Sequence, residues 1–185
     1  MSIKITLKNK INEKLVKNYV LFCDESFKIN GLNKLSINNQ SNSIIKSVNS
    51  SFTKNKDFLL FNLNPIQKII LIKIKKNQSS LESEKIGAKF FNFIKANSIF
   101  SLTLFDNNIK NITPKNEYFL DDFIHGVQLK SYNFNKYKSD KKQDFFEITI
   151  FNKNKLNNFN KNRKFLSLIE GTNLTKDLVS EPGNV

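Results

Sequence analysis

Hydrophobic and polar residues along this chain alternate with two different periods, and the two periods predict strands and helices in turn. Ile3, Ile5 and Leu7 alternate with polar residues, which is the pattern of a half-buried strand. Five further apolar runs have the length and the β-branched or aromatic content of strands. These runs cover residues 19–22, 58–63, 66–74, 99–105 and 145–151. The run 66–74 is nearly continuous in β-branched residues, which is typical of a strand buried on both faces of a sheet.

Helical spacing of apolar residues appears in two segments between these strands. Ser79 and Glu82 have the spacing of a capping box, which predicts a helix from there to about residue 97. Thr113 followed by Pro114 predicts the start of a second helix, which runs towards residue 132, because proline at the first helical position loses no hydrogen bond. The apolar faces of the two helices are predicted to be Ile86, Phe90, Phe93 and Ile94, and Leu120, Phe123, Ile124 and Val127.

A last helix is predicted from about Phe165 to Val179, and the segment Glu181, Pro182 and Gly183 ends it. Its apolar positions are Phe165, Leu168, Ile169, Thr172 and Val179. Residues 30–56 are predicted to form a loop with a weak helix at 44–48, and residues 152–162 a hinge. Strands alternating with helices predict an α/β fold, a mixed β-sheet flanked by helices. We expect residues 1–152 to form this domain and residues 153–185 to form a linker and a terminal helix.

The charge of the chain raises the question of a nucleic-acid or anionic-membrane partner. The formal net charge is +14 and the isoelectric point is near 9.8. Arg163 is the single arginine among 30 basic residues, whereas proteins that read nucleic acid depend on arginine for bidentate contacts. Lys, Asn, Ile and Phe are all abundant, which is the codon bias of an AT-rich genome. We therefore favour codon bias over a dedicated nucleic-acid role.

The apolar segments are too short or too interrupted to be targeting or membrane-spanning segments. The first ten residues lack the continuous apolar stretch of a signal peptide, and no window approaches 18 uncharged apolar residues. Cys23 is the single cysteine, so an internal disulfide is excluded and a reducing compartment fits. These observations predict a soluble cytoplasmic protein without a membrane partner.

Few residues in the chain have side chains suited to catalysis or metal binding. His125 is the single histidine and lacks a second histidine or a cysteine pair at zinc-ligand spacing, so we interpret it as a partly exposed helical residue. Asp121 and Asp122 would point about 100° apart on a helix, and we expect them on a solvated face. Cys23 is predicted to be a small core residue. The sequence therefore predicts no catalytic, cofactor-binding or metal-binding residue in this chain.

The five glycines are scattered, which disfavours a phosphate-binding loop. Gly87, Gly126 and Gly171 fall inside predicted helices, where each costs about 1 kcal/mol relative to alanine. We expect close helix packing to explain all three.

Residues 130–138 interleave lysines with aromatic side chains. Stacking platforms for single-stranded nucleic acid use this mixture. A helix C-terminus whose lysines complement the helix dipole, and whose aromatic residues pack onto the body, has the same composition and is the interpretation that we favour.

Two sequence motifs in this chain resemble those of a known protein family. The first, Gly126-x-x-Leu129-x-x-Tyr132-x-Phe134-x-x-Tyr137-Lys138, resembles the segment that closes the last body helix in the N-terminal domain of the leucyl (cytosol) aminopeptidases. The second spans residues 171–184 and is similar to the linker-helix signature of that family: Lys176-Asp177-Leu178, three residues, then Pro182-x-Asn184. Lys176 stands where arginine is usual. The order of predicted elements agrees with the family over nearly the whole chain.

The resemblance implies a macro-like N-terminal domain and its connecting helix, without the catalytic machinery. In that family of metallopeptidases the two divalent metal ions (Zn or Mn), the catalytic Lys and Arg and the carboxylate ligands lie in a larger C-terminal domain, so none of these roles is carried over to a residue here. The implied partners are that catalytic domain of the same protein, peptide substrates and a homo-hexameric assembly.

Two alternatives to a peptidase domain remain open at this stage. In some members of the family that the chain resembles, this domain binds DNA in an architectural role, and the net charge here is compatible with that role. The family's N-terminal fold also resembles the macro domain that binds ADP-ribose, although the scattered glycines weaken this hypothesis.

Overall fold

The structure is a computed structural model, and it describes residues 2–12, 15–26, 56–106, 109–134, 145–151 and 163–181. Within these ranges the strands are β1 Ser2–Lys8, β2 Asn18–Cys23, β3 Phe58–Asn62, β4 Lys68–Lys73, β5 Ser101–Phe105 and β6 Phe145–Phe151. The helices are α1 Ser80–Ala96, α2 Ile109–Ile112, α3 Phe119–Ser131 and α4 Arg163–Ser180.

The six strands form one mixed sheet in the order β1-β6-β5-β2-β4-β3. Every described pair is parallel except β3 with β4, which is antiparallel. Helix α1 connects β4 to β5, and α2 and α3 connect β5 to β6. The predicted α/β fold, a mixed sheet flanked by helices, is confirmed, and each predicted strand is present.

The alternation of side chains along the strands divides the core between the two faces of the sheet. Val20 and Phe22 of β2 lie beside Ile70 and Ile72 of β4 in a buried cluster with the apolar side chains of α1 and α3. The residues of β2 that alternate with them, Tyr19 and Leu21, belong to a second buried cluster on the other face of the sheet. All four residues from Ile69 to Ile72 are fully buried, so the prediction of a strand covered on both faces is confirmed.

Helix α1 begins as the capping box predicts. The Ser79 hydroxyl accepts a hydrogen bond from the Glu82 backbone N–H at 3.3 Å, and the Glu82 carboxylate accepts one from the Ser79 N–H at 2.9 Å. The Ser79 N–H and the Ser79 hydroxyl both donate to the Glu82 carboxylate, and these two bonds hold the pKa of Glu82 below its usual value. Phe91 is buried alongside the predicted face, and Phe93 is half-buried.

The prediction that the next helix starts at Thr113 and Pro114 is wrong. Thr113 is buried and its N–H donates to the carbonyl of Ile109 at 2.8 Å, so it closes the short helix α2 instead. The Asn116 side chain then fixes the turn that follows. Its Oδ1 accepts a hydrogen bond from the Tyr118 N–H, and its Nδ2 donates to the Gln78 carbonyl and the Ser83 hydroxyl. Because these bonds tie the turn to the start of α1, helix α3 begins only at Phe119.

Helix α4 is present where the sequence predicts it, but its predicted apolar positions do not all face the core. Ile169 is buried, whereas Leu168 and Val179 are 44% and 81% exposed. The predictions for residues 30–56 and for the hinge at 152–162 lie outside the described residues. In the described part of the chain, no helix has the length and apolar character needed to cross a membrane.

Candidate functional site

Two glycines set the distance between α1 and α3. A Cβ atom on Gly87 would overlap the backbone carbonyl of Phe123, and one on Gly126 would overlap the backbone of Glu84. The two helix backbones are therefore in direct contact along a line that we call the α1–α3 seam, formed by Glu84, Gly87, Asp122, His125 and Gly126. Close helix packing is confirmed as the reason for Gly87 and Gly126. It is wrong for Gly171, where a Cβ would meet none of the described residues within 4 Å.

His125 lies in this seam and not at the surface. Its side chain is only 9% exposed, and its Nδ1 lies 2.9 Å from Oε1 of Glu84 on α1. The expectation of a partly exposed helical histidine is therefore wrong, because residue 125 precedes the glycine that brings the helices together. Glu84 is separated from His125 by 41 residues, so no local pattern in the sequence identifies it as the partner.

Asp122 is also buried, which contradicts the predicted solvated face for this residue. It lies three residues after Phe119 and four before Gly126, and therefore on the helix face that these buried residues occupy. Its side-chain atom Oδ2 is buried and has no hydrogen-bond partner among the described residues. Burial raises the pKa of Asp122, and the charge of Glu84 adds to the shift, while Ser80, Asn116 and His125 lower it. Asp121 is half-buried and does not converge with it.

Cys23 is a core residue, as predicted. It is fully buried, and its Sγ donates to the Ile72 carbonyl at 3.3 Å. Burial raises the pKa of the thiol to about 12, with a smaller contribution from the charge of Asp24. A thiol with this pKa is not a nucleophile at neutral pH, because the thiolate is the reactive form.

A second polar arrangement joins the end of α3 to α4. The Tyr132 hydroxyl donates to Oδ1 of Asp177 at 2.6 Å. Lys176 donates to the carbonyl of Leu129 at 3.1 Å, and its Nζ lies 5.0 Å from the centre of the Tyr132 ring. Burial raises the pKa of Tyr132, and the hydrogen bond to Asp177 and its charge act in the same direction. We call these four residues the α3–α4 junction.

The junction links the two motifs that the sequence analysis treated separately. Leu129 and Tyr132 belong to the first motif, and Lys176 and Asp177 belong to the second. Lys176 satisfies one of the carbonyl groups that the end of α3 leaves without a helical partner. The end of α3 is therefore complemented by Lys176 of α4 as well as by Lys130 in its own last turn. The remaining residues of the 130–138 segment, from residue 135 on, lie outside the described part.

Neither arrangement has the composition of a metal centre. In the residues that the structure describes, no group of three or more His, Cys, Asp or Glu side chains could hold a metal ion. In the seam the Glu84 carboxylate pairs with the His125 imidazole beside the buried Asp122, and the junction joins a phenol, a carboxylate and an ammonium group. Both arrangements can fix the positions of helices relative to each other.

Comparisons with known proteins identify relatives of the chain. No protein-family model matches it. It is 34% identical over 133 residues to a probable cytosol aminopeptidase of Clostridium perfringens, a match that covers 64% of this chain and 25% of that protein. It is 37% identical over 70 residues to a probable cytosol aminopeptidase of Phytoplasma mali, covering 35% of this chain and 14% of that protein.

A solved structure shares the fold. A mutant of tomato leucine aminopeptidase matches with a TM-score of 0.66 and 15% identity, over 99% of this chain and 39% of the tomato chain. The chain thus spans a quarter or less of the two curated relatives and well under half of the solved structure. The sequence matches relate the chain to part of the length of the cytosol aminopeptidases, and the structural match shows that it shares a fold with part of a leucine aminopeptidase.

Proposed function

We propose that this chain is the non-catalytic N-terminal domain of a leucyl aminopeptidase, followed by its connecting helix. In this proposal residues 1–152 form the domain, and residues 153–185 lead to a C-terminal catalytic domain of the same protein. The observation that carries the proposal is that the relatives are named cytosol aminopeptidases and that the chain matches at most 25% of their length. The α3–α4 junction supports it, because it holds the connecting helix against the domain through residues of both family motifs.

The complete protein would release N-terminal amino acids from peptides with two divalent metal ions, Zn or Mn, bound in the catalytic domain. Its assembly would be a homo-hexamer in the cytoplasm. The buried Asp122, His125 and Cys23 have structural roles in this proposal, since each is enclosed by packed elements of the domain. The domain would contribute to assembly and to access of peptides, and not to the chemical step.

A peptidase assay tests the non-catalytic role. The purified chain, supplied with Zn²⁺ or Mn²⁺, is expected to release no product from a leucyl amide, while a cytosol aminopeptidase of the family under the same conditions serves as the positive control. Hydrolysis that co-purifies with the chain and persists in an independent preparation would contradict the proposal.

The reading frame of the gene tests the link to a catalytic domain. We expect the codons that follow Val185 to continue in frame into a segment with several carboxylate residues and a lysine able to form a two-metal site. A stop codon directly after Val185 in an intact gene would sink the proposal that the chain is one domain of a peptidase.

A nucleic-acid-binding role is the second candidate, and the net charge of +14 is the observation that favours it. Binding through lysine contacts to phosphate would weaken steeply as salt increases, because bound counterions are released. A titration with duplex DNA separates the candidates. Affinity that is undetectable at about 0.1 M salt, where charges are screened beyond roughly 10 Å, would reject this second role.

A further inference from the structure

Helix α4 presents a row of apolar side chains to solvent, and their exposure increases along the helix. Leu168 is 44% exposed, Leu174 61%, Leu178 64% and Val179 81%. Successive residues of a helix are rotated by about 100°, so these four residues and Gly171 lie on one side, which we call the outward face of α4. The exposed apolar surface is therefore greatest in the last turn of the helix.

The α3–α4 junction fixes the direction in which this face points. Lys176 and Asp177 bind the end of α3, and in the sequence they lie between Leu174 and Leu178. Because each residue turns the helix by about 100°, holding Lys176 against the domain turns the two leucines away from it. Flexible linkers are rich in glycine and serine and have no fixed orientation. An apolar face held in one direction is instead the property of a helix that packs on both sides.

Gly171 lies at the centre of the outward face. It occupies the middle of an 18-residue helix, where glycine is less favourable than alanine. At Gly87 and Gly126 the same cost accompanies direct contact between two helix backbones, whereas a Cβ at Gly171 would meet none of the described residues within 4 Å. A glycine among exposed leucines permits an equally close approach by an element outside the described residues.

Charged residues leave most of this face free for apolar contact. Lys164 is the one charged residue at the outward positions, and it lies about one turn before Leu168 in the first turn of the helix. From residue 167 to residue 179 the outward positions carry serine, threonine, glycine and apolar residues. The contact surface is therefore the stretch from Leu168 to Val179, about 17 Å long, which excludes the lysine.

The size of the face and the length of the relatives favour one occupant. Stable interfaces between separate proteins bury about 800 Å² on each partner, which is more than one face of three helical turns provides. A domain joined by a short linker is held at an effective concentration on the order of 1 mM, so a smaller apolar contact is sufficient within one chain. The curated relatives do extend well beyond the matched part, which is at most 25% of their length.

We propose that the outward face of α4 packs against the domain that follows this chain in the complete protein. This inference rests on the proposed function and adds to it the residues through which the two domains meet. Helix α4 is then a rigid connection, held on one side by the α3–α4 junction and on the other by apolar contacts of Leu174, Leu178 and Val179.

Paired measurements on the 185-residue chain and on the protein extended in frame beyond Val185 test the proposal. Leu174→Lys is expected to leave the melting temperature of the 185-residue chain unchanged, because Leu174 is exposed there. In the extended protein it is expected to lower the melting temperature by several degrees, since it places a charge in an apolar contact. Leu81→Lys is the matched control and is expected to have no effect in either protein, because Leu81 is 60% exposed on α1 and the change adds the same charge.

Hydrogen exchange of the unsubstituted proteins measures the same contact without a variant. Amides of residues 167–180 are expected to exchange at least ~10-fold more slowly in the extended protein than in the 185-residue chain, because packing on the second side opposes opening of the helix. Amides of α1, which is already packed against the sheet and α3, are expected to exchange at similar rates in the two proteins and serve as the internal reference.

Three outcomes would overturn this inference and leave the proposed function intact. They are equal exchange of residues 167–180 in the two proteins, equal effects of Leu174→Lys and Leu81→Lys in the extended protein, or exchange that slows as the concentration of the 185-residue chain is raised, which would assign the face to a second copy. A stop codon directly after Val185 in an intact gene would instead overturn the proposed function, and this inference with it. The two failures are therefore distinguishable.

Discussion

Single residues in this protein have effects that depend on which helix face they occupy, and the glycines illustrate this best. Gly87, Gly126 and Gly171 all interrupt helices, so local propensity treats them alike. Only the first two lie where two backbones touch. The same substitution is therefore expected to have opposite effects at different sites.

Gly87→Ala is expected to lower the free energy of unfolding by about 2 kcal/mol, because the added Cβ overlaps the Phe123 carbonyl and the helices must separate. Gly171→Ala is expected to raise it by about 0.5–1 kcal/mol, since the site is open and alanine favours the helix. Denaturant titration at low protein concentration measures both. Equal destabilisation by the two changes would contradict the direct backbone contact at the seam.

Asp122→Asn tests the cost of burying a carboxylate in the seam. Because burial raises the pKa of Asp122 above its unfolded value, the native state holds the proton more tightly than the unfolded state. The charged form therefore destabilises the protein fully above the raised pKa. This penalty decreases as pH falls through that value and is absent below the unfolded pKa of about 3.9.

The asparagine variant is accordingly expected to melt a few degrees higher at pH 7, and the difference should shrink as the pH is lowered towards 4. Thermal melts at several pH values provide the measurement, and Asp121→Asn, on the half-buried neighbour, is the control. A difference that stays constant with pH would show that the carboxylate charge is not its cause.

At the scale of elements, the α3–α4 junction attaches a helix whose packing onto the body is limited. Helix α4 contacts the end of α3 through polar groups, and Ile169 is its one described residue that is buried. The attachment is therefore expected to respond to single polar substitutions more strongly than α1 or α3, which are held by apolar burial.

Lys176→Met is expected to increase amide hydrogen exchange along residues 163–180, because it removes the hydrogen bond to Leu129 and the contact with the Tyr132 ring. Tyr132→Phe, which loses only the bond to Asp177, is expected to have a smaller effect. Lys130→Met removes an exposed lysine near the end of α3 and should leave exchange in α4 unchanged. Unaltered exchange in both Lys176→Met and Tyr132→Phe would mean that the junction does not hold α4.

At the scale of the whole molecule, the net charge of +14 acts on stability whatever its origin. Like charges repel in the compact state, and salt screens exposed charges separated by more than roughly 10 Å at 0.1 M. We expect the melting temperature to rise by several degrees between about 0.02 M and about 0.3 M NaCl. A melting temperature that falls over this range would indicate that attractive ion pairs dominate the electrostatics instead.

The sequence alone determined the order and type of the described strands and of the three longer helices, but not the short helix α2. Strand alternation at Ile3, Ile5 and Leu7, the capping box at Ser79 and Glu82, and the spacing of the last helix depend on interactions between near neighbours in the chain. The two family motifs were visible for the same reason. Such local patterns are the same in every fold in which one face of the strand or helix is buried.

The tertiary structure alone decided where α3 begins and which polar residues are buried. Asn116 delays the helix by bonding to Gln78 and Ser83, more than 30 residues away. His125 and Asp122 are buried because Gly87 and Gly126 bring two helices into contact, and Tyr132 meets Asp177 across 45 residues. These positions are fixed by the energies of contacts between segments that are distant in the chain. The spacing of apolar residues along the sequence carries no information about such contacts.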